Sequence, residues 1–455
     1  MQRANDIKTP INVDKEITIR GWVHRLRKQK EKTFLLIRDD RGGVIQCVFP
    51  TQQITHLTIE SSVEVTGILI ADDRAPEGGY EIRGNSLIVL NIADSDFPIG
   101  EYQSAELLLD NRHLALRTRR MIEIAKIRST ILKFARQFFI ENDWIEVTPP
   151  IIVKGAVEGG STLFKLRYFN EEAFLSQSAQ LYLEALIFSL GPVWSLTPSF
   201  RAEKSRTVRH LAEFSHLEAE APLTSLEDIL RVEERLITYI IHNTIRERSD
   251  SLFFLNRDVT NLKDVRVPFD RISYYEAIDT LQSRDFRVVD AKGNKRPIRI
   301  GDDLNIDSER ELTKSTLNPL FVSGYPIRIK PFYVKEDEQN RGIGLSADLL
   351  APGGFGEIAS GGMREDDISS IKKRMKIEGL DPSSYDWYID LRRFGSVPHG
   401  GFGLGIERLV RWLVDIEDIK DTVLFPEQCL ELYHSAISER MDYGQDYYIK
   451  SHLIV

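Results

Sequence analysis

Cysteine is nearly absent: Cys47 and Cys429 are the only two in 455 residues. That excludes a disulfide framework and a cysteine-rich zinc site, and a reducing cytoplasm is the expected setting. Long apolar runs are missing too. No stretch approaches a membrane span, and the opening MQRANDIKTPINV lacks the apolar core of a signal peptide. There is no internal repeat or low-complexity tract. The glycine-rich turn at residues 400–405 has neither the GxxxxGK spacing of a P-loop nor the βαβ unit and later acidic residue of a dinucleotide fingerprint. No Cys-His or Ser-His-Asp arrangement offers an enzyme nucleophile. A net charge of −9 excludes a protein that coats nucleic acid nonspecifically, while local basic patches can still grip a phosphate backbone.

What is present describes a globular chain, 42% hydrophobic and 28% charged, long enough for two or three domains. Five strand-like runs occupy residues 16–23, 33–38, 44–49, 62–70 and 80–90, the pattern of a small OB-type barrel. Its first hairpin carries Arg20, Arg25, Arg27, Lys28, Lys30 and Lys32 against Glu31, with Trp22 and Phe34 nearby. Cations beside aromatic rings suit single-stranded nucleic acid, although Trp22 by itself reads as core. Residues 94–120 form a polar connection ending in the basic NRHLALRTRR. From Met121 to Glu141 a stripe of Ile124, Ile127, Ile131, Phe134, Ala135, Phe138 and Phe139 predicts a helix, which cannot pass Pro149 and Pro150. SQSAQLYLEALIFSL reads as helical, and Thr224 with Glu227 has the spacing of a capping box before a helix running through Ile245. Residues 250–335 give no sharp pattern. The expected domains are 1–100 (barrel), 101–120 (hinge), 121–426 (an α+β domain on an antiparallel sheet) and 427–455 (a divergent tail).

The central stretch is FRAEKSRTVRHLAEFSHLEAE, residues 200–220. Arg201 and Glu203 alternate onto one side if they lie in a strand, and a second alternating segment with Phe214, Leu217, Glu218 and Glu220 follows a basic loop. A hairpin carrying a fixed cation, carboxylates and an aromatic ring suits a ligand with both a phosphate and a planar base. Far downstream, GGFGLGIERL sets a second isolated arginine, Arg408, after glycines. Two such arginines resemble the pair that marks class II aminoacyl-tRNA synthetases. The helix ending at Pro149 resembles the first motif of that class, FRAE with its loop and EF the second, and GFGLGIERL the third. The match runs from about residue 15 to 426 and is similar to the aspartate-asparagine-lysine subgroup. VEGGSTLFKL, LSQSAQLYLE, DLLAPGGFGEIASGG and WYIDLRRFGSVPHGGFGLG place it nearest the asparaginyl enzymes.

This resemblance implies ATP-dependent activation of L-asparagine, acylation of tRNA(Asn), Mg2+ as the metal, a homodimer built on the first motif, and an N-terminal barrel that reads the anticodon. Arg201 is implied to hold the α-phosphate, Glu203 to accept from the adenine amino group, Phe214 to stack under the ring, and Arg408, after Gly405, to cover the other face. Arg209 or His210 would neutralise pyrophosphate. Glu357, with Asp348 as a less fixed second, is the implied metal position, since magnesium takes one or two carboxylates when phosphates supply the rest. Glu158 is implied to meet the ammonium and Arg364 the side-chain oxygen, with Ser178, Gln180 and Leu183 lining the pocket. Aspartate-specific relatives carry a lysine where this chain has Leu183. Glu218, or its rival Glu213, would accept from the substrate amide. Phe34, Gln46 and Arg25 match anticodon readers. Three alternatives remain open at this point: an aspartyl enzyme, discriminating or not; an asparagine-synthesising paralogue, which generally lacks the barrel; and a noncatalytic RNA-binding relative, which would be expected to lose Arg201, Glu203, Arg408 or Glu357. Relatives continue after Leu424-Phe425-Pro426 with an arginine; here Glu427 and an unalignable tail follow.

Overall fold

A computed structural model of the chain describes residues 2–54, 56–76, 78–100, 103–154, 162–202, 209–290 and 293–426. Glu158, Glu203 and the tail 427–455 lie outside the described residues. The chain divides into two compact units, Met1–Ile122 and Glu123–Val455.

In the first unit five strands close a barrel in the order β1-β2-β3-β5-β4: β1 (Glu16–Lys28), β2 (Lys32–Arg38), β3 (Val44–Pro50), β4 (Ser62–Ala71) and β5 (Tyr80–Asn91). Alternation places Ile17, Ile19 and Val23 inside with Leu35, Ile37, Cys47 and Val65. That phase turns Trp22 outward. It is 37% exposed, with the Arg38 guanidinium 5.5 Å from its ring centroid, so the expectation of a core tryptophan is corrected. Arg38 and Arg117 both pair with the buried Glu60, at 2.7 and 3.1 Å. The stretch between the barrel and the second unit holds two short helices, Ala105–Asp110 and Arg112–Ala115.

The second unit is built on an eight-stranded sheet. Its order is Asp270–Ser273, Leu320–Ser323, Ser346–Ala351, Gly356–Met363, His399–Gly405, Glu213–Pro222, Val193–Phe200 and Ile145–Glu146. The outermost pair at each end is parallel and the six central strands are antiparallel. Helices Arg119–Glu141 and Leu226–Glu247 supply apolar faces; every residue of the predicted stripe from Ile124 to Phe139 is buried. The second helix is capped by Ser225 with Asp228, one residue beyond the predicted Thr224 and Glu227. Both pairs have the right spacing; it is Ser225, with the extended backbone a cap requires, whose side chain accepts from the Asp228 amide.

Candidate active site

The Val193–Phe200 and Glu213–Pro222 strands form the expected hairpin, but the first strand ends one residue before Arg201. The Arg201 amide donates to the Ala212 carbonyl at 2.9 Å, closing the base of the loop. Along the second strand Phe214, His216, Glu218 and Glu220 fall on one face by the period of two, and all four border a cavity of about 390 Å³. Glu213 is exposed and does not border it. The neighbouring His399–Gly405 strand approaches so closely that no side chain fits at Gly401 or Gly403. A Cβ on Gly401 would stand 2.0 Å from the Ala219 carbonyl oxygen, and one on Gly403 2.4 Å from His216 Nε2. The glycine run therefore serves strand packing at the cavity floor.

At one end of the cavity the Arg201 guanidinium lies 5.5 Å from the Phe214 ring centroid. Arg408 reaches the same cavity from the first turn of the Ile406–Val414 helix, next to Gly405. That turn is pinned by Glu407, which is buried and accepts from Arg128 at 2.6 Å and from the Ser215 amide at 3.0 Å. The two arginines, 207 residues apart, thus border one cleft. Arg209 donates to Glu309 at 3.0 Å and to the Glu357 carbonyl at 3.2 Å, and His210 borders the cavity beside it. Burial, then the nearby Arg209, Arg310 and Arg408, push Arg411 down to about 10, with Asp418 opposing.

Two carboxylates face this end of the cavity. Glu357 accepts from Arg408 Nη1 at 2.7 Å, and Asp348 accepts from Lys330 Nζ at 2.8 Å and from Ser360 Oγ at 2.6 Å. Among the described residues no cluster of three acidic, histidine or cysteine side chains could hold a metal by itself. Two oxygen donors beside several arginines fit a hard cation that takes most of its ligands from phosphate and water.

At the opposite end Arg364 binds Glu220 in bidentate fashion, 3.0 and 2.8 Å, with Glu184 at 3.9 Å. Burial opposes the charge, but Glu220 and Glu184 hold the guanidinium above its ordinary range. Glu184 is wholly buried and accepts from Arg392 at 2.6 Å, Tyr388 at 2.7 Å and Gln180 at 3.0 Å; His399 Nε2 stands 3.2 Å away. Burial disfavours its ionisation, yet Arg392, His399 and Arg364 keep its carboxyl below the usual range. Ser178 and the Ala179 amide donate to Glu218, and Leu183 adds a fully buried apolar wall. Ser178, Gln180, Leu183, Glu218 and Arg364 therefore come together as expected. Sequence reasoning missed Glu220 and Glu184 as holders of Arg364, and Lys330 and Asp303 beside Asp348. Glu220 carried a usable signal, since it lies two residues beyond Glu218 on the same strand face.

On the barrel, Leu36 pairs with both Arg25 and Gln46, and Phe34 follows the same side of β2, so the three expected anticodon readers share one outer face. Gln46 Nε2 donates to Glu81 at 2.9 Å.

Residues 104–429 match the family described as tRNA synthetases class II (D, K and N), and residues 17–90 match the OB-fold nucleic acid binding domain. The asparagine–tRNA ligase of Thermococcus gammatolerans is 47% identical over 435 residues, 94% of this chain and 98% of the relative. That of Pyrococcus furiosus is 49% identical over 430 residues, 92% and 96% of the two chains. Among solved structures, asparaginyl-tRNA synthetase from Pyrococcus horikoshii complexed with asparaginyl-adenylate superposes with a TM-score of 0.87 at 47% identity, covering 93% of this chain and 97% of that one. With the paired arginines, the antiparallel sheet and the barrel in place, the chain belongs to the class II tRNA synthetases of the D, K and N group, and within it to the asparagine–tRNA ligases.

Proposed function

We propose that the chain condenses L-asparagine with ATP to asparaginyl-adenylate and transfers the asparaginyl group to the 3'-terminal ribose of tRNA(Asn). The substrate carboxylate attacks the α-phosphorus; one O–P bond forms, the bond from that phosphorus to the oxygen bridging to the β-phosphate breaks, and pyrophosphate leaves. A ribose hydroxyl then bonds to the asparaginyl carbonyl carbon, the bond from that carbon to the AMP oxygen breaks, and AMP leaves as the hydroxyl proton is released. The nucleophile comes with the substrate, so the side chains contribute position and charge. Arg201 holds the α-phosphate while Phe214 supports the adenine, and Arg408 closes on the nucleotide from the other side. Arg209 and His210 face the departing pyrophosphate. Glu203 would accept from the adenine amino group. Glu357 and Asp348 would hold Mg2+, which when bound offsets charge on the phosphates. Arg364, fixed by Glu220 and Glu184, meets the side-chain oxygen of asparagine; Ser178, Gln180 and Glu218 border the same end, and Glu158 would meet the ammonium. Arg25, Phe34 and Gln46 receive the anticodon, and a homodimer forms through the Arg119–Glu141 helix.

The observation that carries this reading is the cavity itself: Arg201 and Arg408 at one end, Arg364 at the other, and an aromatic ring beside Arg201. ATP–pyrophosphate exchange with asparagine against aspartate, followed by charging of bulk tRNA, tests it. Exchange with asparagine and charging are expected; exchange with aspartate alone overturns the substrate assignment.

A further inference from the structure

Both carboxylates at the phosphate end already carry a cation belonging to the chain. Arg408 sits on Glu357 at 2.7 Å, and Lys330 Nζ sits on Asp348 at 2.8 and 3.2 Å. The lysine is held from a second side by Tyr325, whose ring centroid is 3.7 Å from Nζ, and its side chain is only 13% exposed. Burial opposes both charges, yet each sustains the other: Asp348 is kept below the usual carboxylate range and Lys330 above the usual amine range. One more acid borders the same wall. Asp303 makes no ion pair among the described residues, and burial pushes its carboxyl up, opposed by the Lys330 charge.

A divalent ion approaching Asp348 in the ligand-free protein meets an ammonium already in place. To bind, it must expel that ammonium from a nearly dry position, and a displaced buried charge without a new partner is costly. Arg408 has an obvious destination, because a triphosphate entering the cavity competes with Glu357 for it. Lys330 needs one as well. Its four-carbon stem and three rotatable donors allow a short swing, and Asp303 is the acid with no cation of its own.

We propose that Lys330 is a stand-in cation which holds Asp348 in position while the site is empty and passes to Asp303 when a divalent ion arrives with the nucleotide. Lys330 is thus a positioning residue, and the metal enters as the nucleotide complex because the two carboxylates that would hold it, Glu357 and Asp348, already carry a cation in the free protein. This rests on the nucleotide-binding reading given above.

The test is Mn2+ binding to the full chain, read by electron paramagnetic resonance at neutral pH without substrates. Removing the resident ammonium with Lys330→Met should tighten binding of Mn2+ alone by at least about tenfold over the unsubstituted protein, a gain of about 1.4 kcal/mol. Asp303→Asn should leave binding of Mn2+ alone near the unsubstituted value and weaken binding of the Mn2+–ATP complex about tenfold, because the displaced ammonium then has nowhere to go. Unchanged Mn2+ affinity in a folded Lys330→Met protein overturns the proposal. Should that variant not fold, unchanged Mn2+–ATP affinity in Asp303→Asn overturns it equally. Equilibrium dialysis of ATP without metal separates the two readings: normal ATP binding with metal affinity indifferent to Lys330 defeats only the stand-in, whereas no ATP binding defeats the nucleotide site and the stand-in together.

Discussion

Replacing Leu183 by lysine tests how the amino-acid end separates two nearly isosteric substrates. Leu183 is fully buried at the cavity wall, next in sequence to Glu184. The charges fixed around it are Arg364 and Arg392 against Glu184, Glu218 and Glu220, all buried. Carboxylates outnumber guanidiniums there by three to two, and an aspartate side chain adds another negative charge where asparagine adds none. An ammonium about 4 Å from that carboxylate is worth about 4 kcal/mol at an effective dielectric of about 20. Burying the lysine costs several kcal/mol, but that cost is common to both substrates and cancels in their ratio. The ratio of kcat/KM for aspartate over asparagine in pyrophosphate exchange should therefore rise by one to three powers of ten, up to about 4 kcal/mol. Absolute activity with asparagine should fall. Thermal unfolding of the variant beside the parent chain checks that the site survives. A folded Leu183→Lys protein whose ratio stays within about threefold of the parent, under about 1 kcal/mol, would show that charge at this wall does not govern discrimination.

Gly401→Ala should be the more damaging of two glycine changes, because its Cβ meets a backbone oxygen at 2.0 Å, whereas in Gly403→Ala the obstacle is the movable His216 ring. Thermal unfolding should place the first at about 1–3 kcal/mol or more of lost stability. Glu233, wholly buried in the Leu226–Glu247 helix, has no hydrogen-bond partner for either oxygen among the described residues, and burial, then Asp348 and Glu234, hold its carboxyl well above the usual range. The folded chain retains this proton after the unfolded chain has released it. Stability is therefore lost as pH rises above the ordinary carboxylate pKa, by up to about 1.4 kcal/mol per pH unit from this one group. Glu233→Gln should flatten that slope in urea unfolding; an identical slope in parent and variant refutes the assignment. In the barrel, Phe34→Ala should weaken tRNA binding by about 1–3 kcal/mol in a filter assay while pyrophosphate exchange stays near the parent value.

The sequence alone carried whatever depends on local periodicity or on a residue type at a fixed spacing. The five barrel strands follow from alternation, and the helix before Pro149 from its 3.6-residue stripe, because each pattern reports one buried face. Arg201, Phe214 and Arg408 were legible because they stand in compact motifs. Even Trp22 had its answer in the alternation of Ile17, Ile19 and Val23; residue size suggested core, and strand phase puts the ring outside. Tertiary structure decided the pairings. Glu220 grips Arg364 across 144 positions through strand order in the eight-stranded sheet, and Glu184, on the Gln180–Leu190 helix, gathers Arg392 and His399 across more than 200. Lys330 and Asp303 belong to a stretch without a repeating pattern, so nothing local announced that folding would bring them beside Asp348. A buried charge is stabilised by whichever opposite charge the fold delivers to it, and that partner is chosen by distance in space, of which distance along the chain holds no record.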